Sequence, residues 1–182
     1  MAVKEVKLST IEEVLTTLTT AEFNDALKRN RSAFLFRGLP NVSYKLTTSL
    51  RWNCKGKAGE LEPSILRNFS KYAASTSPLN SCWEQMVIGQ HHGLPTRLMD
   101  WTYSPLAALH FATSGEDITG MNQHDAVVWA IDITEMNTLL PAKYQKVLND
   151  ERAYLFTIDM LDRVAKDLTT YDNDMGEDGI VL

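Results

Sequence analysis

The segment from Gln90 to Ala112, QHHGLPTRLMDWTYSPLAALHFA, constrains the fold of this chain more than any other stretch. Gly93 and Pro95 predict a turn, because glycine adopts positive φ readily and proline biases the preceding residue away from helix. Ser104 followed by Pro105 predicts a helix start, with a capping hydroxyl and then proline at the first helical position. We therefore expect one helix to end near Gly93 and a second helix to begin at Pro105.

The residues between these two helices allow two interpretations. In the first, Arg97 pairs with Asp100 and Trp101 fills the core, because an isolated buried charge is very costly. In the second, the loop presents Gln90, His92 and Arg97 to a ligand, since loops between rigid elements are common places for binding sites. The sequence leaves both interpretations open.

The periodicity of the remaining apolar residues predicts a mixed protein. Helical spacing and capping residues indicate helices at residues 9–18, 21–29, 60–72, 81–92 and 152–168, with a helical turn at 135–140. Short apolar runs bounded by turn residues indicate strands at 33–37 and 125–133. Residues 44–51 are ambiguous and fit an extended piece, 55–59 read as a polar loop, and 171–179 read as an acidic, turn-rich tail followed by the start of a strand at 180–182.

These elements predict an α+β fold with a small mixed sheet and helices packed around it in a single domain. We expect residues 1–32 to form an N-terminal helical segment and residues 33–182 to form the α+β domain. Within it, Trp83, Met86 and Val87 should face the core, and the helix from Leu106 to Ala112 should be buried nearly all round, since it is apolar on every side. Its alanines should allow another element to approach closely.

Composition narrows the classes of function. The 182 residues are 44% hydrophobic and carry a net charge of −5, so the chain should fold, and a generic nucleic-acid-binding surface is not expected. Cys54 and Cys82 match no zinc spacing, and His91 and His92 point in different directions on a helix, so we expect no metal site. No segment resembles a signal peptide or a membrane span, which predicts a cytoplasmic protein without a membrane partner.

Two sequence motifs together resemble the FRG domain family, which occurs widely in bacteria and phages. They are Phe36-Arg37-Gly38 and the stretch QHHGLPTRLMDWT from Gln90 to Thr102, and the stretch from Ser49 to Arg51 also fits the family pattern. The resemblance covers roughly residues 34–133. Family members usually continue past the final strand into a segment with an Arg-Ile…Gln pattern, whereas this chain ends at Leu182, which leaves open a truncated chain or a short gene.

The resemblance implies an enzyme related in plan to ADP-ribosyltransferases. An aromatic-Arg-Gly motif on an early strand is similar to the arginine motif with which those enzymes hold NAD, and the planar fork of arginine suits phosphate oxygens. Arg37 and His92 are the catalytic candidates, with histidine suited to acid–base chemistry, and NAD is the candidate cofactor. The stretch Ser75-Thr76-Ser77 is similar to a second motif of those enzymes, but no Glu-x-Glu pair follows on a late strand.

The alternative is a non-catalytic module in phage–host conflict that binds a nucleotide, a phosphorylated small molecule or a protein. Both hypotheses predict a single pocket in which Arg37 lies beside the loop of the second motif. A salt bridge from Arg37 to a carboxylate such as Asp100 is the purely structural interpretation. The predicted ligand-binding residues are Arg37, Arg51, Gln90, His92, Thr96, Arg97 and Asp100.

Overall fold

The computed structural model describes residues 3–20, 23–24, 29–30, 33–73, 81–114 and 123–176. The helices are α1 (Ile11–Thr19), α2 (Ser49–Cys54), α3 (Ala58–Ala73), α4 (Cys82–His91), α5 (Pro105–Thr113), α6 (Ile133–Thr138), α7 (Ala142–Glu151), α8 (Ile158–Val164) and α9 (Leu168–Met175). The strands are β1 (Phe23–Asn24), β2 (Arg29–Asn30), β3 (Phe34–Leu39) and β4 (Val127–Asp132). This mixture confirms the predicted α+β class.

The chain divides into two compact units, and each is described by itself. The first comprises residues 1–44 and 101–132, and the second comprises residues 45–100 and 133–182. The prediction of a helical segment followed by a single α+β domain stays a prediction.

The first unit begins with a helix whose start follows from its sequence. Thr10 accepts a hydrogen bond from the Glu13 backbone amide, and Glu13 accepts one from the Thr10 amide in return, which forms a capping box. The helix predicted at residues 21–29 is wrong where the structure describes it, because β1 and β2 pair antiparallel there. Residues 21–22 and 25–28 of that prediction lie outside the described residues.

The sheet of the first unit confirms both strands that the apolar runs predict. Strand β3 pairs antiparallel with β4, and Arg37 lies directly opposite Trp129 in the register. On the other edge of β3, the Phe36 amide donates to the Thr102 carbonyl at 2.8 Å, and the Thr102 amide donates back at 2.9 Å. Both backbone groups of Phe36 are therefore bonded to Thr102, while Phe36 lies in register opposite Ala130 of β4.

Helix α5 packs against β3 at a position that requires glycine. A Cβ atom on Gly38 would lie 1.8 Å from the Ala108 carbonyl oxygen and 2.7 Å from the Ala112 amide nitrogen. The predicted close approach at these alanines is confirmed, and Ser104 caps the helix as expected. The prediction that α5 is buried all round is wrong, since Leu106 is 50% exposed and Phe111 is 64% exposed. Only one side of this apolar helix faces β3.

The second unit is a group of helices around an aromatic core. Its buried members include Trp83 and Met86 from α4, Tyr144 and Leu148 from α7, and Tyr171 from α9. The Tyr171 ring packs edge-on against Trp83, with ring centroids 5.2 Å apart. Trp83 and Met86 confirm the predicted inward face of α4, whereas Val87 is 44% exposed and the prediction for it is wrong.

Two segments at the start of the second unit differ from their predicted structure. Residues 49–54 form α2 rather than a strand, because Thr48 supplies a cap by accepting from the Arg51 amide. The predicted polar loop at 55–59 is a short 3₁₀ turn over 55–57 followed directly by α3. Helix α3 confirms the helix predicted at 60–72 but starts earlier, at Ala58, so Pro63 lies in its second turn.

The long helix predicted over 152–168 is wrong. Helix α7 ends at Glu151, and Arg152 adopts a left-handed conformation with φ of 54°. The chain becomes helical again only at Ile158, after the Thr157 cap, and at Leu168, after the Asp167 cap. The expected acidic tail is therefore helix α9 up to Met175, while the strand expected at 180–182 lies outside the described residues.

Candidate functional site

The turn of the second motif is built as its sequence predicts. Helix α4 starts at the Ser81 cap and ends at His91, and Gly93 takes up a φ of +82°. The Leu94 amide then donates to the Gly89 carbonyl at 2.9 Å, which satisfies one carbonyl of the last helical turn. The glycine is required here because positive φ is unfavourable for residues with a Cβ.

Three predicted ligand-binding residues, Gln90, Thr96 and Asp100, lie together in one hydrogen-bonded chain. Thr96 is 1% exposed, and its hydroxyl donates to Gln90 Oε1 at 2.6 Å. Gln90 Nε2 in turn donates to Asp100 Oδ1 at 2.6 Å. The Thr96 backbone is also held, since its amide donates to Ser49 Oγ at 3.1 Å and its carbonyl accepts from the Leu50 amide at 3.1 Å. This chain ties the motif loop to α2 and α4.

Arg97 binds two carboxylates, but neither is the one that the sequence suggested. Its Nε donates to Glu62 Oε1 at 2.9 Å, and its Nη1 lies 2.5 Å from Asp172 Oδ1, so the predicted pairing with Asp100 is wrong. Glu62 comes from α3 and is 2% exposed, whereas Asp172 comes from α9 and its side chain is 51% exposed. The guanidinium also lies 5.8 Å from the centre of the Tyr171 ring.

The electrostatics of Arg97 agree with a structural role. Burial alone would lower the pKa of Arg97, but the hydrogen bonds to Glu62 and Asp172 outweigh burial and raise it. A buried charge with such partners satisfies the requirement that buried ions be paired and hydrogen-bonded. Arg97 thus links three separate segments of the second unit. Its partners Glu62 and Asp172 lie 35 and 75 residues away in sequence, so the residues around Arg97 gave no indication of them.

The two remaining candidates of the second unit are more accessible. His92 ends α4 with an exposed side chain, and its ring centroid lies 6.5 Å from that of Phe69. Arg51 is exposed on α2. Both could reach a ligand from solvent, but the described residues of the second unit include no buried group that needs one.

The first unit has such a group, on one face of the β3–β4 sheet. Directly opposite residues of an antiparallel pair point to the same face, so Arg37 shares its face with Trp129. Gly38, the next residue of β3, points at α5, so this shared face is the one away from that helix. We call it the Arg37 face; its other cross-strand pairs are Leu35 with Ile131 and Leu39 with Val127.

Trp129 carries a buried donor for which the described residues offer no acceptor. Its Nε1 is covered, and it makes no hydrogen bond within the part of the chain described above. Buried indole N–H groups usually find a partner, and leaving such a donor unpaired costs about 1–3 kcal/mol. The indole of Trp83 shows the usual case, since it donates to the Ala165 carbonyl at 2.8 Å. The unpaired donor therefore needs an explanation from outside the described protein atoms.

Sequence reasoning missed Trp129. Its signal was present in the strand DAVVWAIDI, where alternation places every second residue on one face, but the antiparallel register that sets it opposite Arg37 could not be read from either strand alone. The prediction that Arg37 lines one pocket with the loop of the second motif stays a prediction. The stretch Ser75-Thr76-Ser77 lies outside the described residues.

Two further properties concern only the described residues. No group of three or more His, Cys, Asp and Glu side chains among them is arranged to hold a metal ion. None of the helices in these same segments combines the length and the apolar character that a membrane span requires.

Comparison with known proteins gives one match. Neither the curated proteins nor the solved structures contain a significant match to this chain. A family model does match, over residues 32–119, a range that includes β3 with Arg37, the motif loop and α5. This segment of the chain is an FRG domain.

Proposed function

We propose that this protein binds a phosphorylated ligand of the nucleotide class at the Arg37 face. The observation that carries the proposal is the buried indole N–H of Trp129, which lacks an acceptor and lies across the strand pair from Arg37. Arginine is the side chain best suited to phosphate oxygens, because its planar fork can donate two parallel hydrogen bonds. Of the predicted site residues, Arg37 is thus the one that the proposal depends on.

The residues of the second unit argue against catalysis at the motif loop. Gln90, Thr96 and Arg97 spend hydrogen bonds on the fold itself. A general acid or base must lie within reach of the proton that it moves, and His92 is exposed at a helix end. A binding module needs only the donors of the Arg37 face, so it is the simpler function for this geometry.

An ADP-ribosyltransferase-like enzyme is the second candidate, with NAD as its cofactor. The observation in its favour is that Phe36, Arg37 and Gly38 lie on a strand, as the arginine motif requires. Against it, β4 carries no glutamate, and its sequence is VVWAID. A cytoplasmic protein that binds a protein partner in phage–host conflict is the remaining alternative.

A thermal-shift screen tests the proposal. NAD, ADP-ribose, ATP and cyclic dinucleotides are added to the wild type, to Arg37→Ala and to Arg67→Ala, which removes the same charge from an exposed position on α3. A ligand at a hundred times its dissociation constant adds about 2.7 kcal/mol, or roughly 5–10 °C for a chain of this size. We expect a shift that Arg37→Ala abolishes and Arg67→Ala retains. A shift of equal size in all three proteins would contradict the proposal.

The same samples distinguish the two candidate functions. Incubation of the protein with NAD, followed by chromatography, measures release of nicotinamide. The binding module leaves NAD intact, whereas the transferase-like enzyme releases nicotinamide in the wild type and not in Arg37→Ala. Absence of a shift with every nucleotide would favour the protein-binding alternative.

A further inference from the structure

We infer that Trp129 is a ligand-binding residue whose indole N–H donates to a phosphate oxygen held by Arg37. This inference rests on the proposed function and adds to it a residue and a chemical group. Trp129 and Arg37 are directly opposite in the β3–β4 register, so their Cβ atoms lie about 4.5–5.5 Å apart on one face. Two side chains whose Cβ atoms lie that close can bring a guanidinium and an indole N–H to the same small group.

The combination of donors favours a phosphate over a carboxylate. A guanidinium fork that binds in two places occupies both oxygens of a carboxylate, but a phosphate group retains a further oxygen. The indole N–H is a neutral donor with no accepting capacity, so it fits that further oxygen. A carboxylate could accept from Trp129 only at the second lone pair of an oxygen that Arg37 already uses, whereas a phosphate offers an oxygen without another donor.

The indole N–H of Trp129 is shielded from solvent in the free protein. Trp129 is only partly buried as a residue, but its Nε1 atom is covered. A phosphate can therefore reach Nε1 only after the atoms that cover it move. Binding then satisfies a donor that the free chain leaves without an acceptor among its described residues, so the hydrogen bond is gained without breaking another one at Trp129.

Calorimetric titration of four proteins tests this role. ADP-ribose, ADP and inorganic phosphate are titrated into the wild type, Trp129→Phe, Arg37→Gln and Trp52→Phe. Phenylalanine keeps an aromatic ring but removes the N–H, and Trp52 is a matched control because it is 71% exposed on α2. We expect Trp129→Phe to weaken binding by roughly tenfold to a hundredfold, the loss of one hydrogen bond to a charged group. Trp52→Phe should bind as the wild type does.

The outcomes separate this inference from the proposed function. If the wild type binds none of the three probes, both are overturned. If Arg37→Gln loses binding while Trp129→Phe binds as tightly as the wild type, only the role of Trp129 is overturned. Among the probes, equal affinity for inorganic phosphate and ADP would mean that the site reads the phosphate alone, whereas tighter binding of ADP would mean that the nucleoside contributes.

A second measurement covers the case in which Trp129→Phe does not fold. In a ¹⁵N–¹H spectrum of the wild type, the four tryptophans give separate indole N–H signals, assigned by Trp→Phe substitution at Trp52, Trp83 and Trp101. Addition of ADP should move the remaining signal, that of Trp129, because a new acceptor changes its environment. An unmoved Trp129 signal at saturating ADP would overturn the inference.

Discussion

Arg97 in the second unit and Trp129 in the first unit are both partly buried and both carry N–H donors. The two residues differ in whether those donors have acceptors among the described residues. The Arg97 guanidinium donates to two carboxylates, on α3 and α9, and rests against an aromatic ring. The Trp129 indole has no acceptor among the described residues. A satisfied buried network stabilises a fold, whereas an unpaired buried donor is costly and calls for a ligand or another explanation. The loop of the second motif therefore mainly stabilises the fold, and strand β4, which carries Trp129, has the better evidence for binding.

The largest expected effect comes from removing the buried partner of Arg97. Glu62→Gln leaves the guanidinium partly buried with its closest carboxylate gone, and breaking a buried ion pair costs about 3–5 kcal/mol. Urea denaturation followed by circular dichroism measures the free energy of unfolding. A Glu62→Gln protein as stable as the wild type would contradict the structural role of Arg97.

The exposed partner of Arg97 provides the matched control. Asp172→Asn removes a carboxylate that is 51% exposed, and ion pairs of that kind contribute about 0–1 kcal/mol. The same denaturation experiment should therefore show a much smaller loss than for Glu62→Gln. Equal losses would mean that burial does not control the strength of this network.

In the first unit, we expect substitutions to lower thermal stability most at the contact between β3 and α5. Gly38→Ala would place a methyl group 1.8 Å from the Ala108 carbonyl oxygen, and overpacking typically costs about 1–3 kcal/mol. Thermal unfolding compares it with Gly56→Ala, where the added methyl group meets nothing within 4 Å. A normal melting temperature for Gly38→Ala would show that α5 does not pack here as described.

The smallest expected effect is a pH dependence in the second unit. The Asp174 carboxylate has a lowered pKa, chiefly because Lys143 donates a hydrogen bond to it, with a further contribution from the Tyr144 hydroxyl at 3.0 Å. A lowered folded-state pKa stabilises the fold above the unfolded value of about 4, and this contribution is lost as the pH falls through the folded value. Asp174→Asn should therefore flatten the stability profile on the acid side. An unchanged profile would contradict this assignment.

Local signals in the sequence predicted much of the fold. Thr10, Ser81 and Ser104 mark helix starts, and Gly93 marks a helix end, because caps and positive φ depend on residues within one turn. The helix predicted over residues 152–168 began too early and continued through the break between α8 and α9, although Thr157 and Asp167 are caps in retrospect, and helix α7 was not predicted.

The partners of the candidate site residues could not be predicted in the same way. Arg97 contacts Glu62 and Asp172, which are remote in sequence, and its neighbour Asp100 was the plausible but wrong partner. Trp129 gained its significance only from the register with Arg37. Long-range pairing depends on tertiary packing, for which a single sequence carries no local signal.

The most direct test of the central contrast compares two tryptophans in the absence of any ligand. Trp83→Phe removes a donor that pairs with the Ala165 carbonyl, and Trp129→Phe removes a donor without an acceptor among the described residues. We predict that Trp83→Phe lowers the free energy of unfolding by about 1–3 kcal/mol, because the Ala165 carbonyl loses its donor. Trp129→Phe should leave the free energy unchanged or raise it. A loss of equal size at both positions would show that Trp129 is satisfied within the fold and would contradict the account.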